Sequence, residues 1–161
     1  MYRLTDNFTL PEFTKSAVAL RHGIDNIPNR EEKQNLLLLA KEVLQPVREH
    51  YGRIVKISSG FRCLELNRKL GSNDSSSHPK GEASDFEIPG FSNFELAKWI
   101  STNLDYDQCI LEFFDDSLGY LNSGWVHTSY SRTGNRREML TIARDNNRKI
   151  ITLPGIVKYN P

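Results

Sequence analysis

Two cysteines, Cys63 and Cys109, are all that the 161 residues contain, and neither belongs to a CxxC pair. That excludes a disulfide framework and leaves both to behave as small buried hydrophobes. Excess charge is missing too, since 21 Lys and Arg stand against 20 Asp and Glu. A dedicated nucleic-acid binder carries a larger basic excess, so no nucleic-acid partner is expected. The longest apolar run, "LLLLA" (Leu36–Ala40), falls far short of the roughly 20 residues that a membrane span needs. The opening "MYRLTDNFTLPEF" has no basic start, apolar stretch or small-residue cleavage site. No secretory signal is expected there, so the chain should be made in a cytoplasm, with release by another route left open. Internal repeats are absent, and "SNDSSS" (Ser72–Ser77) is the nearest approach to low complexity.

What is present fits a soluble globular protein: 38% hydrophobic and 25% charged residues. The length allows one domain with a real core, and no composition shift marks a second. The expectation is a single domain over residues 1–161, with a lead-in at 1–30, a core at 31–130 and C-terminal strands and tail at 131–161.

"TLPE" (Thr9–Glu12) reads as a helix start, with a capping Thr, a Pro in the first turn and a Glu three residues on. After the turn-rich "GIDNIPNREE", which ends in a second capping box of Asn29 and Glu32, a long amphipathic helix runs to about His50. Leu36, Leu39, Ala40, Val43, Leu44 and Val47 recur on its core face. Pro46 is expected to kink its last turns and Gly52 to close it.

"IVKISS" (Ile54–Ser59) alternates as a strand does. "LELNRKL" (Leu64–Leu70) reads as a short helix and 71–80 as a polar loop. "ASDFEI" reads as a strand and "SNFELAKWI" as a helix capped by Ser92 and Glu95. "QCILEFF" (Gln108–Phe114) and "GWVHTSY" (Gly124–Tyr130) read as neighbouring strands, with "EMLTIAR" and "KIITL" as further ones. Helices first and strands later give an α+β fold with a largely antiparallel sheet flanked by N-terminal helices.

Of four histidines, His22 and His50 stand near helix ends, where a structural role suffices. His78 and His127 differ. His78 ends a polar loop that leads into the strand carrying Asp85, and His127 lies mid-strand, sharing a face with Trp125 and Ser129. "SSHPKGEASD" (Ser76–Asp85) fits S-x-H-x-x-G-x-A-x-D at every fixed position. Gly81 allows a tight turn behind His78, and Ala83 keeps the start of the strand small. Two imidazoles and one carboxylate on Zn²⁺ leave a fourth position open, which is the catalytic arrangement.

With "SSGFR" (Ser58–Arg62) before it and "WVHTSY" (Trp125–Tyr130) after it, this block resembles the zinc D-alanyl-D-alanine carboxypeptidase family. These are peptidoglycan peptidases that share a fold with hedgehog signalling domains. The lead-in "NFTLPEFTKSAVALRHGIDNIP" resembles a phage and bacterial branch of the family. The resemblance implies one zinc ion held by His78, Asp85 and His127, and a peptidoglycan stem peptide as substrate. It also implies that Arg62 binds the substrate's carboxylate or a peptide carbonyl, as a bidentate guanidinium suits. Ser76, Gln108 and Trp125 are the further substrate-side candidates, and a monomer is expected.

The proton shuttle is where the sequence departs from the family. Members often keep Glu or Asp three residues before the last His, and here that position is Gly124. Many also carry His two residues before it, and here that is Trp125. Glu112, a carboxylate in an apolar strand, is the leading replacement, with Gln108 assisting. Glu87, Asp115 and Asp116 are the alternatives.

These readings point to a zinc peptidase cutting either a terminal D-Ala-D-Ala or an L-Ala-D-Glu bond, acting on the cell wall as a phage lysin or virion-associated enzyme. The alternative is a non-hydrolytic zinc-binding module of a wall-binding or phage structural protein. A calcium site built from "SNDSSSH" and Asp85 is disfavoured by the two histidines. The arginines between Arg132 and Lys149 read as a solvated strand pair, with attraction to anionic wall polymers the lesser reading.

Overall fold

The computed structural model describes residues 2–115, 117, 119 and 123–159. Two short helices open the chain, α1 (Leu10–Thr14) and α2 (Ala17–His22). The Glu12 carboxylate accepts from both the backbone N–H and the hydroxyl of Thr9, each at 2.7 Å. Asn29 and Glu32 cap the next helix reciprocally, at 3.0 and 2.6 Å. Both starts lie where the sequence placed them.

The long helix is one rod with a shifted ladder: α3 (Arg30–Leu39), a π-helical stretch (Ala40–Leu44) and α4 (Gln45–Tyr51). Pro46 has no N–H to donate. The ladder widens just before it, with Gln45 N–H bonding Ala40 O, and so absorbs the proline without a break. The six residues read as its core face are fully buried.

Then come β1 (Lys56–Ser59), α5 (Leu64–Lys69), a 3₁₀ turn (His78–Lys80), β2 (Ala83–Glu87) and α6 (Asn93–Asn103). The chain closes with β3 (Gln108–Glu112), β4 (Trp125–Ser129), β5 (Glu138–Arg144) and β6 (Ile150–Pro154). Among the described residues the strands form one six-stranded sheet, ordered β1-β2-β4-β3-β5-β6. Every pairing is antiparallel except β3 with β5. The fold is therefore α+β in one domain, as the element order implied.

One sheet face turns Phe86, Cys109, Leu111 and Val126 into a core shared with Leu36, Leu39, Val43 and the α6 residues Leu96, Ala97 and Ile100. The two cysteines are free; Cys109 is buried and Cys63 half-buried. Burial pushes the Cys109 thiol up to about 12, and only a thiolate reacts. A thiol reagent at neutral pH should therefore label at most one cysteine in the native protein and two in denaturant.

Two of the arginines after β4 bind back onto the domain. Arg136 grips Asp107 through Nε and Nη2, both at 2.7 Å, and Arg137 lies over the Tyr106 ring. The Arg136 hydrogen bonds hold the Asp107 carboxyl below the usual carboxylate range. A lowered folded value means stabilisation present above the unfolded value of about 3.9 and lost as pH falls through the folded one. Because Arg136 is mostly exposed, the pair contributes only about 1 kcal/mol. Urea midpoints of the wild type should fall more steeply below about pH 4 than those of Asp107→Asn; parallel slopes would count against it.

Candidate metal centre

The opposite sheet face builds the site. Register places Asp85 directly across from His127 on β4, and Glu112 directly across from Trp125. Residues opposite one another, and residues two apart, share a face. Asp85, His127, Trp125, Glu112, Ile110 and Gln108 thus line one surface. With His78, Ser76, Arg62 and Ile142 they line a cleft of about 490 Å³.

His78 reaches it from the 3₁₀ turn, held on three sides. Its Nδ1 lies 2.6 Å from Gly60 O, and a carbonyl only accepts, so Nδ1 carries the proton and Nε2 offers its lone pair. Ser76 Oγ accepts from the His78 N–H at 3.3 Å. Asn35, buried on α3, donates to Lys80 O at 2.8 Å. Gly81 takes φ 71°, and any side chain there would strike the Glu32 carbonyl of α3.

His78 Nε2 lies 3.3 Å, and His127 Nδ1 2.8 Å, from the same oxygen, Asp85 Oδ1. All three donor atoms fall within 4.8 Å of one another. Tetrahedral coordination with bonds of about 2.0–2.1 Å needs donors about 3.3 Å apart, so the group fits one small divalent ion with little movement. Its second shell is complete on the His78 side, where a backbone carbonyl fixes the tautomer. Burial pushes the His78 imidazole below its ordinary value, against the pull of Asp85. Burial would raise the Asp85 carboxyl, but the two imidazoles outweigh it and hold it well below the usual range. Arg62 at 2.6 Å adds a cation that pH does not remove. A neutral imidazole and an ionised carboxylate are the forms that ligate metal.

Arg62 follows β1, whose register against β2 shifts between Ile57 and Ser59, an irregularity that leaves two serines for local use. Ser58 Oγ donates to Asp85 O at 3.1 Å, and Ser59 Oγ accepts from Arg62 Nε at 2.7 Å. Arg62 Nη1 donates to Ser72 Oγ and Nη2 to Asp85 Oδ2. Its side chain is 14% exposed. Three of the five guanidinium N–H groups are engaged and two remain. The sequence read Arg62 as substrate-facing; its closest partner is the Asp85 carboxylate, which the sequence did not foresee.

The Arg62 turn is clamped by the lead-in. Asn26 donates to Thr14 O and Phe61 O and accepts from Cys63 N–H, all within 2.9 Å. Phe61 N–H donates to Phe13 O at 2.7 Å. Asn26 was missed in sequence because a lone Asn in a turn-rich linker looks like turn chemistry.

Glu112 is half-buried in the cleft wall. Burial pushes its carboxyl above the ordinary value and the Asp85 charge adds to this, while His127 and Arg62 pull the other way without cancelling it. Trp125 Nε1 is buried and meets no acceptor in hydrogen-bond geometry among the described residues, yet it lies close enough to favour the Glu112 carboxylate. Gln108 lines the cleft, but its amide donates to Glu138 Oε2 at 2.6 Å. The other acids are used elsewhere. Glu87 pairs with Lys56 at 3.0 Å, Asp115 accepts from Ser117 in its own turn, and Asp116 lies outside the described residues. Asp74, an oxygen donor of the calcium reading, pairs with Arg68 at 2.6 Å. His50 stacks on Trp99 at 4.2 Å and needs no metal.

Gly124 explains why no acid precedes His127. It takes φ 65°, and a side chain there would overlap the Glu112 carbonyl oxygen. The β3 backbone already fills that space. Gly124→Ala is expected to cost about 2–5 kcal/mol from left-handed strain plus overlap, read as a lowered urea midpoint; a change under 1 kcal/mol would refute this steric account.

Fold and site define a class: an α+β protein whose sheet face carries a three-donor group suited to one divalent ion, beside a half-buried carboxylate. Residues 6–128, about three quarters of the chain, match the Peptidase M15 family, and the chain belongs to it. Membership supports a zinc-dependent metallopeptidase acting on peptidoglycan. A comparison with curated proteins returned no match. The matched span stops before β5 and β6, so Glu138 and Ile142 lie outside it. No helix among the described residues is long and apolar enough to cross a membrane.

Proposed function

We propose that this chain is a zinc peptidase that hydrolyses a peptide bond in peptidoglycan stem peptides, of the D-Ala-D-Ala carboxypeptidase or L-Ala-D-Glu endopeptidase type. The observation that carries the reading is the convergence of one ligand atom each from His78, Asp85 and His127 within 4.8 Å, beside the sheet face that also bears Glu112. In this reading one zinc ion is held by those three residues. When bound, the ion supplies Lewis acidity towards the scissile carbonyl and makes water acidic near neutral pH.

The chain's own residues do the rest. Glu112 takes a proton from the attacking water and passes it to the leaving amine. Its burial lifts its proton affinity towards that task. Arg62 orients Asp85 with one Nη2 proton and offers its two free N–H groups to a substrate carbonyl or carboxylate. Ile110, Trp125 and Ile142 form the apolar part of the cleft wall, which displaces water around the bond to be cut. A lysin or virion-associated role belongs to the same proposal, supported by the lead-in's resemblance to the phage and bacterial branch.

Purified cell wall incubated with the zinc-loaded protein should release D-Ala or new amino termini, detected by mass spectrometry and abolished by a chelator. Stoichiometric zinc with no cleavage of varied wall types would reject the enzyme. It would favour a non-hydrolytic wall-binding module, a reading that Gly124 in place of the family's acid also supports.

A further inference from the structure

A second concavity, of about 820 Å³, lies between α2 and α5. It is larger than the cleft beside it and falls within the size range of ligand sites. Arg62 belongs to both. Its Nε donates to Ser59, in the groove wall, and its Nη1 to Ser72, in the cleft wall. The Arg62 side chain therefore borders both spaces.

The lining has a clear chemical character. Lys15 and Arg62 are its charged residues, and no carboxylate lines it. Lys15 is exposed and forms no ion pair with a described carboxylate. Leu20 and Leu70 also line the groove, and they stand 86% and 45% exposed. Covering that apolar surface gains free energy, and a lone ammonium beside it selects for negative charge.

We infer that this groove is a substrate subsite, taking an acidic peptide segment remote from the cut bond, with its carboxylate on Lys15 and an aliphatic portion against Leu20 and Leu70. The inference rests on the peptidase reading for the identity of the substrate. It adds a charge requirement that the metal centre does not impose.

The test uses zinc-loaded Glu112→Gln protein, so that peptides stay whole, and two fluorescent stem peptides that differ only in one side carboxylate, free or amidated. Fluorescence anisotropy should show Lys15→Glu weakening the free-acid peptide about tenfold or more and the amidated one less than about twofold. Leu20→Ser should weaken both by one similar factor. Equal effects of Lys15→Glu on the two peptides, or no effect on either, would overturn the subsite. Wild-type cleavage of the same peptides, followed separately, reports on the peptidase reading. Charge-dependent binding without cleavage would keep the subsite and reject the peptidase, and cleavage with charge-blind binding would do the reverse.

Discussion

Glu112→Gln is expected to lower kcat by about 10²–10⁴ while one zinc ion per chain stays bound, which is the range that a positioned general base contributes. Gln keeps the size and hydrogen-bonding shape of Glu but cannot take a proton near neutral pH. Glu112 lies across from Trp125, two residues along β4 from His127. The substitution should therefore leave the three donor atoms where they are. Removing a carboxyl that burial already pushes towards its neutral form also costs the fold little, so the melting temperature should hold or rise slightly. Loss of zinc together with activity would recast Glu112 as a structural group. Full activity would hand the proton transfer to another residue.

His127→Ala is expected to remove both metal and activity. Loss of a supporting group around a metal site typically weakens metal binding about 10–100-fold, and loss of a donor should exceed that. With two donors left, the ion could not be held against dilute chelator. The variant also takes away the closest imidazole to Asp85 Oδ1, at 2.8 Å, while Arg62 continues to pair with Oδ2 at 2.6 Å. The buried carboxylate thus keeps a counter-charge, and the apo variant should fold. Metal analysis beside circular dichroism checks both halves. His78→Ala should behave alike. Zinc that survives either change would overturn the donor assignment.

Several parts of this site were legible residue by residue. The spacing of His78 and Asp85 around Gly81 marks a candidate ligand turn because that glycine answers a steric demand. Gly81 answers the α3 carbonyl behind it. Alternation on two strands put Gln108 with Glu112 and Trp125 with His127, and the observed register brings those sets to one face. The helix caps were equally local, since each is written within four residues.

Other parts were not legible, for one recurring reason: they depend on which segments meet. The parallel pairing of β3 with β5 brings Glu138 onto Gln108 and Ile142 into the cleft wall, although 30 residues separate Gln108 from Glu138. The Asn26 clamp on the Arg62 turn joins residues 35 apart. Pro46 was read as a kink point, and the irregularity found there is a ladder widened before the proline, over Ala40–Leu44.

The sequence by itself determined the elements and the amphipathic face of the long helix, since these follow from local spacing; the three candidate donors, which lie in separate blocks, came from the family resemblance of those blocks taken together. Only the tertiary structure decided that Arg62 spends one N–H on Asp85, that Gly124 is closed to any side chain, and that the lead-in helps line a groove that shares Arg62 with the cleft. Those outcomes are set by close approach between distant segments, and no periodicity within a single segment encodes them.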